Sequence, residues 1–113
     1  VNYNNKNNAE NKILTNLINY KVNFICLAGF MKILSKKIIN VYKNRILNIH
    51  PSLLPKYKGL NTHKRVIKNK EKFTGCTVHF VDEKLDNGKI IIKKKLLLIN
   101  FLMRKNLKIV FKF

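Results

Sequence analysis

Arginine is almost missing from this very basic chain. Of 24 lysines and arginines only Arg45, Arg65 and Arg104 are arginine, against five acidic residues, and the formal net charge is +19. A charge of that size invites a nucleic-acid reading. Surfaces that read bases or clamp phosphates favour the arginine fork, however. Joint enrichment in lysine, asparagine and isoleucine is what AT-rich codons produce anywhere. No nucleic-acid partner is therefore expected, and a basic face would at most steer anionic ligands such as phosphates. Cysteine is scarce too. Cys26 and Cys76 sit in apolar, strand-like runs and read as buried free thiols in a reducing cytoplasm, not as a disulfide or a metal pair. Neither His-x-x-x-His nor Cys-x-x-Cys spacing occurs, so no metal site is expected. Gly-x-Gly-x-x-Gly and Walker loops are absent. No apolar run approaches the roughly 20 residues that cross a bilayer. The Asn/Lys-rich start lacks the apolar segment of a signal peptide. A cytoplasmic protein without membrane contact is expected.

What is present fits one small globular domain over residues 1–113, with 46% hydrophobic residues. Ile13, Leu14, Leu17 and Ile18 follow a helical spacing within Ala9 to Tyr20. Val22 to Ala28 is a nearly continuous apolar run, the pattern of a strand buried on both faces of a parallel sheet. Ser35 reads as the N-cap of a short helix over Lys36 to Lys43. Arg45 to Ile49 is the next strand, and Thr62 reads as the cap of a helix to about Lys70. Gly75 to Val81 and Lys89 to Ile99 read as strands, with the Lys93–Lys95 tract as a solvated strand end. The order predicts an α/β fold with a largely parallel sheet, an antiparallel edge and flanking helices. No internal repeat is visible.

Both prolines of the chain, Pro51 and Pro55, fall with Gly59 in one stretch, His50 to Asn61, and keep it irregular. Just before it stand Asn48 and His50. Residues i and i+2 of a strand share a face, so an amide donor and an imidazole point at one spot. That spot is at the carboxyl end of a strand, where open α/β sheets place ligands. His50 suits proton transfer near neutral pH, or it caps the loop by hydrogen bonding. Asn48 is placed to donate to a developing oxyanion, or it pins the loop backbone. Asp86, in Leu85-Asp86-Asn87-Gly88, is a carboxylate to pair with His50, or simply a turn residue. His79, in an alternating strand, reads as a satisfied structural histidine, and His63 as a weaker candidate.

Three motifs go further together. They are Leu27 to Ser35, Ile46 to Gly59, and Gly75 to Gly88. Their order and spacing resemble phosphoribosylglycinamide formyltransferase, the folate-dependent family of purine synthesis, from about Ala9 to about Lys95. The resemblance implies a partial Rossmann-like formyltransferase sheet. It implies formyl transfer from 10-formyltetrahydrofolate, as co-substrate, to the amine of phosphoribosylglycinamide, without a metal. Asn48 would bond the formyl oxygen, His50 would be general acid and base, and Asp86 would raise the His50 pKa and organise water. Met31, Lys32, Ile33 and Leu34, with Asn48, would line the folate site; from the residues alone these four read as packing after a strand. Lys32 stands where the family usually has arginine, and Asn61 where it has histidine, while His63 matches. Lys6 falls on a further family arginine. The Leu54–Pro55 bond is expected to be cis by resemblance.

Formyltetrahydrofolate hydrolase and methionyl-tRNA formyltransferase share the Asn-x-His and Asp pattern. Pro51 and the continuation Leu60-Asn61-Thr62-His63 favour the glycinamide enzyme. A homodimer is left open. The chain reads as shortened at both ends. The family's first strand and its phosphate-gripping glycine loop have no counterpart, and residues 99–113 diverge, as a frame shift near Ile99 would make them. A short chain of this kind is expected to be marginally stable and to bind the phosphorylated substrate poorly, and an inactive remnant is the other outcome.

Overall fold

The computed structural model describes residues 3–98, and the 99–113 segment, expected to diverge, lies outside the described residues. Seven elements follow one another: α1 (Lys6–Asn19), β1 (Ile25–Ala28), α2 (Lys36–Val41), β2 (Ile46–His50), α3 (Thr62–Lys68), β3 (Phe73–Phe80) and β4 (Ile90–Leu97). The strands form one sheet in the order β1-β2-β3-β4. The α/β class and the order of elements match expectation. The largely parallel sheet does not: β1 pairs parallel with β2, but β2–β3 and β3–β4 are antiparallel. For β3–β4 the reason is the connection: residues 81–89 are too few for the crossover that a parallel pair needs. Strands β2 and β3 are joined through α3, and connection length does not set their direction.

Helix α1 starts three residues before the apolar spacing suggests. Asn5 caps it, its side chain accepting from the Asn8 N–H at 3.2 Å. Leu14 is buried, while Ile18 stays exposed. The core joins Leu14 of α1, Leu34, Ile38, Ile39 and Tyr42 around α2, and Ile46 of β2. Ser35 does occupy the N-cap of α2, but its side chain makes no capping bond. The restraint comes from α1 instead. Glu10, 2% exposed, accepts from the Ser35 N–H at 3.0 Å and from the Tyr3 hydroxyl at 3.1 Å. Burial, then the hydrogen bond and negative charge of Glu10, push the Tyr3 hydroxyl up to about 12. Asn61, in the left-handed region at φ 55°, takes the N-cap position expected for Thr62, which is the first helical residue and buried.

Strand β1 is not buried on both faces. Its burial alternates, and Cys26 is exposed while Cys76 is buried. An apolar run reports the hydrophobicity of both faces, not what covers them. Strand β4 is exposed along its whole length, the Lys93–Lys95 tract included.

Gly88 closes the turn against β3. A Cβ there would lie 1.7 Å from the Phe80 carbonyl oxygen, a backbone atom that cannot swing aside. Gly88→Ala is expected to cost about 3 kcal/mol, the upper end of ordinary overpacking. Urea unfolding reads this directly; an unchanged midpoint would show that the turn shifts freely.

Candidate active site

Asn48 and His50 leave β2 on one face, as their spacing requires. The antiparallel register sets Asn48 opposite His79 and His50 opposite Thr77. The β3–β4 ladder slips at Val78/His79, so an irregularity sits in the strand that carries His79.

Beyond His50 the loop is tied to β3 from below. Thr77 donates its hydroxyl to the Ser52 carbonyl at 2.7 Å and accepts from the Leu54 N–H at 3.1 Å. Ser52 donates to the Lys56 carbonyl at 2.6 Å. The Leu54–Pro55 bond is cis, as the resemblance implied. Tyr57, Gly59 and Asn61 then take positive φ in alternation.

Asp86 arrives from the β3–β4 turn, itself at φ 47°. One carboxylate oxygen accepts from the Gly59 N–H at 2.8 Å and lies 3.4 Å from His50 Nδ1. The other lies 3.6 Å from His79 Nε2. His50 Nε2 is 2.7 Å from the Tyr57 carbonyl oxygen. A carbonyl only accepts, so Nε2 carries a proton and Nδ1 faces the carboxylate. His79 Nδ1 lies 2.8 Å from the Phe80 carbonyl and donates to it. Its Nε2 then accepts from the Asn48 side-chain nitrogen at 3.3 Å. That bond sets which way the Asn48 amide points and leaves its second N–H for another acceptor.

Asn48, His79 and Asp86 share a cavity with Leu27, Phe30, Lys32, Ile33 and Leu34. Three of the four residues expected around a folate therefore line it. Met31 is 66% exposed and does not. His50, 4% exposed, is not on the wall and meets the cavity through Asp86. The structure thus brings together the three expected polar residues, from one strand and a turn. It adds His79, a satisfied buried histidine as expected, but one whose partners are Asn48 and the neighbourhood of Asp86. Period-two alternation places His79 on a strand face; only cross-strand register places it beside Asn48. His63 belongs to α3 and does not line the cavity; burial lowers its imidazole below the ordinary value. Among the described residues no group of three or more His, Cys, Asp or Glu side chains is placed to hold a metal ion, and no helix is long and apolar enough to cross a membrane.

A formyl transferase family model matches residues 1–108. The chain belongs to the formyl transferase family. Among curated relatives it is 46% identical over 94 residues to a phosphoribosylglycinamide formyltransferase of Haemophilus influenzae, covering 83% of this chain and 44% of that protein. Among solved structures, phosphoribosylglycinamide formyltransferase from Bacillus halodurans superposes with a TM-score of 0.82 at 36% identity, over 87% of this chain and 50% of that one. A formyltetrahydrofolate deformylase from Pseudomonas syringae pv. tomato superposes with a TM-score of 0.83 at 27% identity, over 89% and 34%. The chain thus spans half or less of the length of each of these members.

Proposed function

We propose that residues 1–113 form part of a formyltransferase domain that moves the formyl group of 10-formyltetrahydrofolate to the amine of phosphoribosylglycinamide. The observation that carries this is the meeting of Asn48 and His50, from β2, with Asp86, from the β3–β4 turn: Asn48 and Asp86 line one cavity and His50 stands behind Asp86. The names of the two formyltransferases described above support the choice of acceptor. Folate and a phosphorylated amine are small solutes, so the reading needs a cytoplasmic setting, no membrane and no nucleic acid, and it holds for a monomer or a homodimer.

The amine nitrogen attacks the formyl carbon, and a C–N bond forms. The formyl oxygen takes the negative charge, and the second N–H of Asn48 is the donor for it. Loss of the folate nitrogen restores the carbonyl. One proton must leave the attacking amine and one must reach the departing nitrogen. The His50–Asp86 pair takes up the first and returns it as the second, with Asp86 on the cavity wall and His50 Nδ1 next to it. Lys32, Ile33 and Leu34 offer the co-substrate an apolar wall with one cation at its edge.

The test is Asn48→Ala. Removing one preorganised oxyanion donor is expected to lower kcat by about 10²–10³-fold, with folate binding nearly kept. Steady-state rates of formyl-folate consumption check it, for this chain alone and joined to any coding sequence that precedes it. A rate within a few-fold of wild type overturns the role of Asn48. The similarity to the deformylase supports a second reading, in which water replaces the amine as acceptor.

A further inference from the structure

Three side chains converge on one tyrosine that does not line the cavity. The Tyr57 hydroxyl donates to Glu71 at 2.9 Å and accepts from the Asn69 side-chain amide at 2.9 Å. The Arg65 guanidinium lies 5.5 Å from the centre of the Tyr57 ring and donates to the Lys58 carbonyl. Lys56 approaches Glu71 at 3.3 Å. The bonds from Tyr57 and Lys56 hold the Glu71 carboxyl below its usual range. So many restraints on a surface loop residue call for a reason.

The backbone supplies one. Tyr57 sits at φ 56°, a left-handed conformation that is an outlier for a bulky side chain. Such geometry persists only where the surroundings over-determine it. Its consequence is the direction of one carbonyl, which lies 2.7 Å from His50 Nε2.

We propose that Tyr57 is a positioning residue: α3 and the turn after it clamp its side chain, so that its carbonyl holds neutral His50 as the Nε2–H tautomer and leaves Nδ1, beside Asp86, to take up the transferred proton. The inference rests on the reading of His50 as the proton carrier. A neutral imidazole carries one proton on one nitrogen, and the bond made by the other nitrogen decides which. With Nε2–H fixed on a carbonyl, the basic nitrogen faces the cavity side. Were Tyr57 to relax, the proton would redistribute and part of the enzyme would present the wrong nitrogen to Asp86.

The experiment reads the tautomer itself, without substrate. Nitrogen NMR of the chain labelled with ¹⁵N-histidine gives the two ring signals of His50, assigned by their loss in His50→Gln. At a pH high enough for the ring to be neutral, wild type is expected to show Nε2 protonated and Nδ1 bare. Tyr57→Phe removes both hydroxyl bonds, and Glu71→Gln, at a half-buried position, keeps an acceptor for the hydroxyl and removes only its charge. In each, the ratio of the two tautomers is expected to fall about fivefold, the factor that loosening one ordinary hydrogen bond carries. His79, whose Nδ1 is bound to the Phe80 carbonyl, is the internal control and is expected to keep its Nδ1–H tautomer throughout. An unchanged His50 ratio in both variants with His79 intact overturns the proposal. So does a wild-type His50 with its proton on Nδ1. Because no turnover is involved, a shifted tautomer combined with a His50 variant that transfers formyl normally would instead overturn the proposed role of His50.

Discussion

His50→Gln is expected to slow formyl transfer by about 10²–10⁴-fold, the range that a positioned acid–base group contributes. Glutamine is chosen for what it keeps. Its amide can still donate to the Tyr57 carbonyl, the contact His50 makes at 2.7 Å, so the loop retains that anchor. What it removes is a nitrogen able to take a proton and return it beside Asp86. The site is buried, with His50 4% exposed, so bulk water is a poor substitute carrier. The loss is expected in kcat, with binding of the co-substrate close to wild type, because His50 does not line the cavity. Steady-state kinetics with a circular dichroism control for folding give the answer. Rates within tenfold of wild type would mean that the proton travels by another route.

Asp86→Asn tests the other half of the pair, and it is expected to lose both activity and stability. Asparagine accepts the left-handed backbone at φ 47° about as readily as aspartate, so the turn itself is not the target. The carboxylate accepts the Gly59 N–H with one oxygen, the one that also faces His50, and turns the other toward His79. An amide has a single acceptor oxygen. Pointed at Gly59, it turns its NH₂ toward His79, whose Nε2 already accepts from Asn48. Pointed the other way, it strands the Gly59 N–H. Either orientation removes the negative charge beside His50 Nδ1. The stability loss is expected to be about 1–3 kcal/mol, the range for a charge-assisted bond or an orphaned donor. Activity is expected to fall by about 10²–10³-fold, as the imidazolium loses its partner. Urea midpoints and kcat are to be read on the same preparation. A variant with unchanged kcat would confine Asp86 to holding the turn.

Much of the site is written in short-range pattern. Asn48 and His50 share a face because strand side chains alternate, and two prolines and a glycine mark the loop after them. The Asp-Asn-Gly turn announces itself by composition. What local pattern does not hold is how strands pair. Alternation in Gly75 to Val81 is the same for a parallel and an antiparallel neighbour, so the β2–β3 pairing, and with it the contact of His79 and Asn48, becomes visible only in three dimensions. Apolarity around Cys26 likewise says nothing about what lies against it. Glu10 is the clearest case. A lone acid early in a polar helix reads as solvated, yet it is buried and takes the backbone N–H of Ser35, whose own side chain makes no capping bond. The Tyr57 clamp is hidden for the same reason, since a left-handed backbone at tyrosine is not a local preference but a result of contacts from α3 and beyond.

One measurement reaches the centre of the proposed function. The formyl carbon of 10-formyltetrahydrofolate is isotopically labelled, and its fate is followed with and without phosphoribosylglycinamide, using this chain joined to any coding sequence that precedes it. The expected result is label in formylated phosphoribosylglycinamide, with little free formate when the amine is withheld. Formate released at the same rate in the presence and absence of the amine would contradict it and identify a hydrolase.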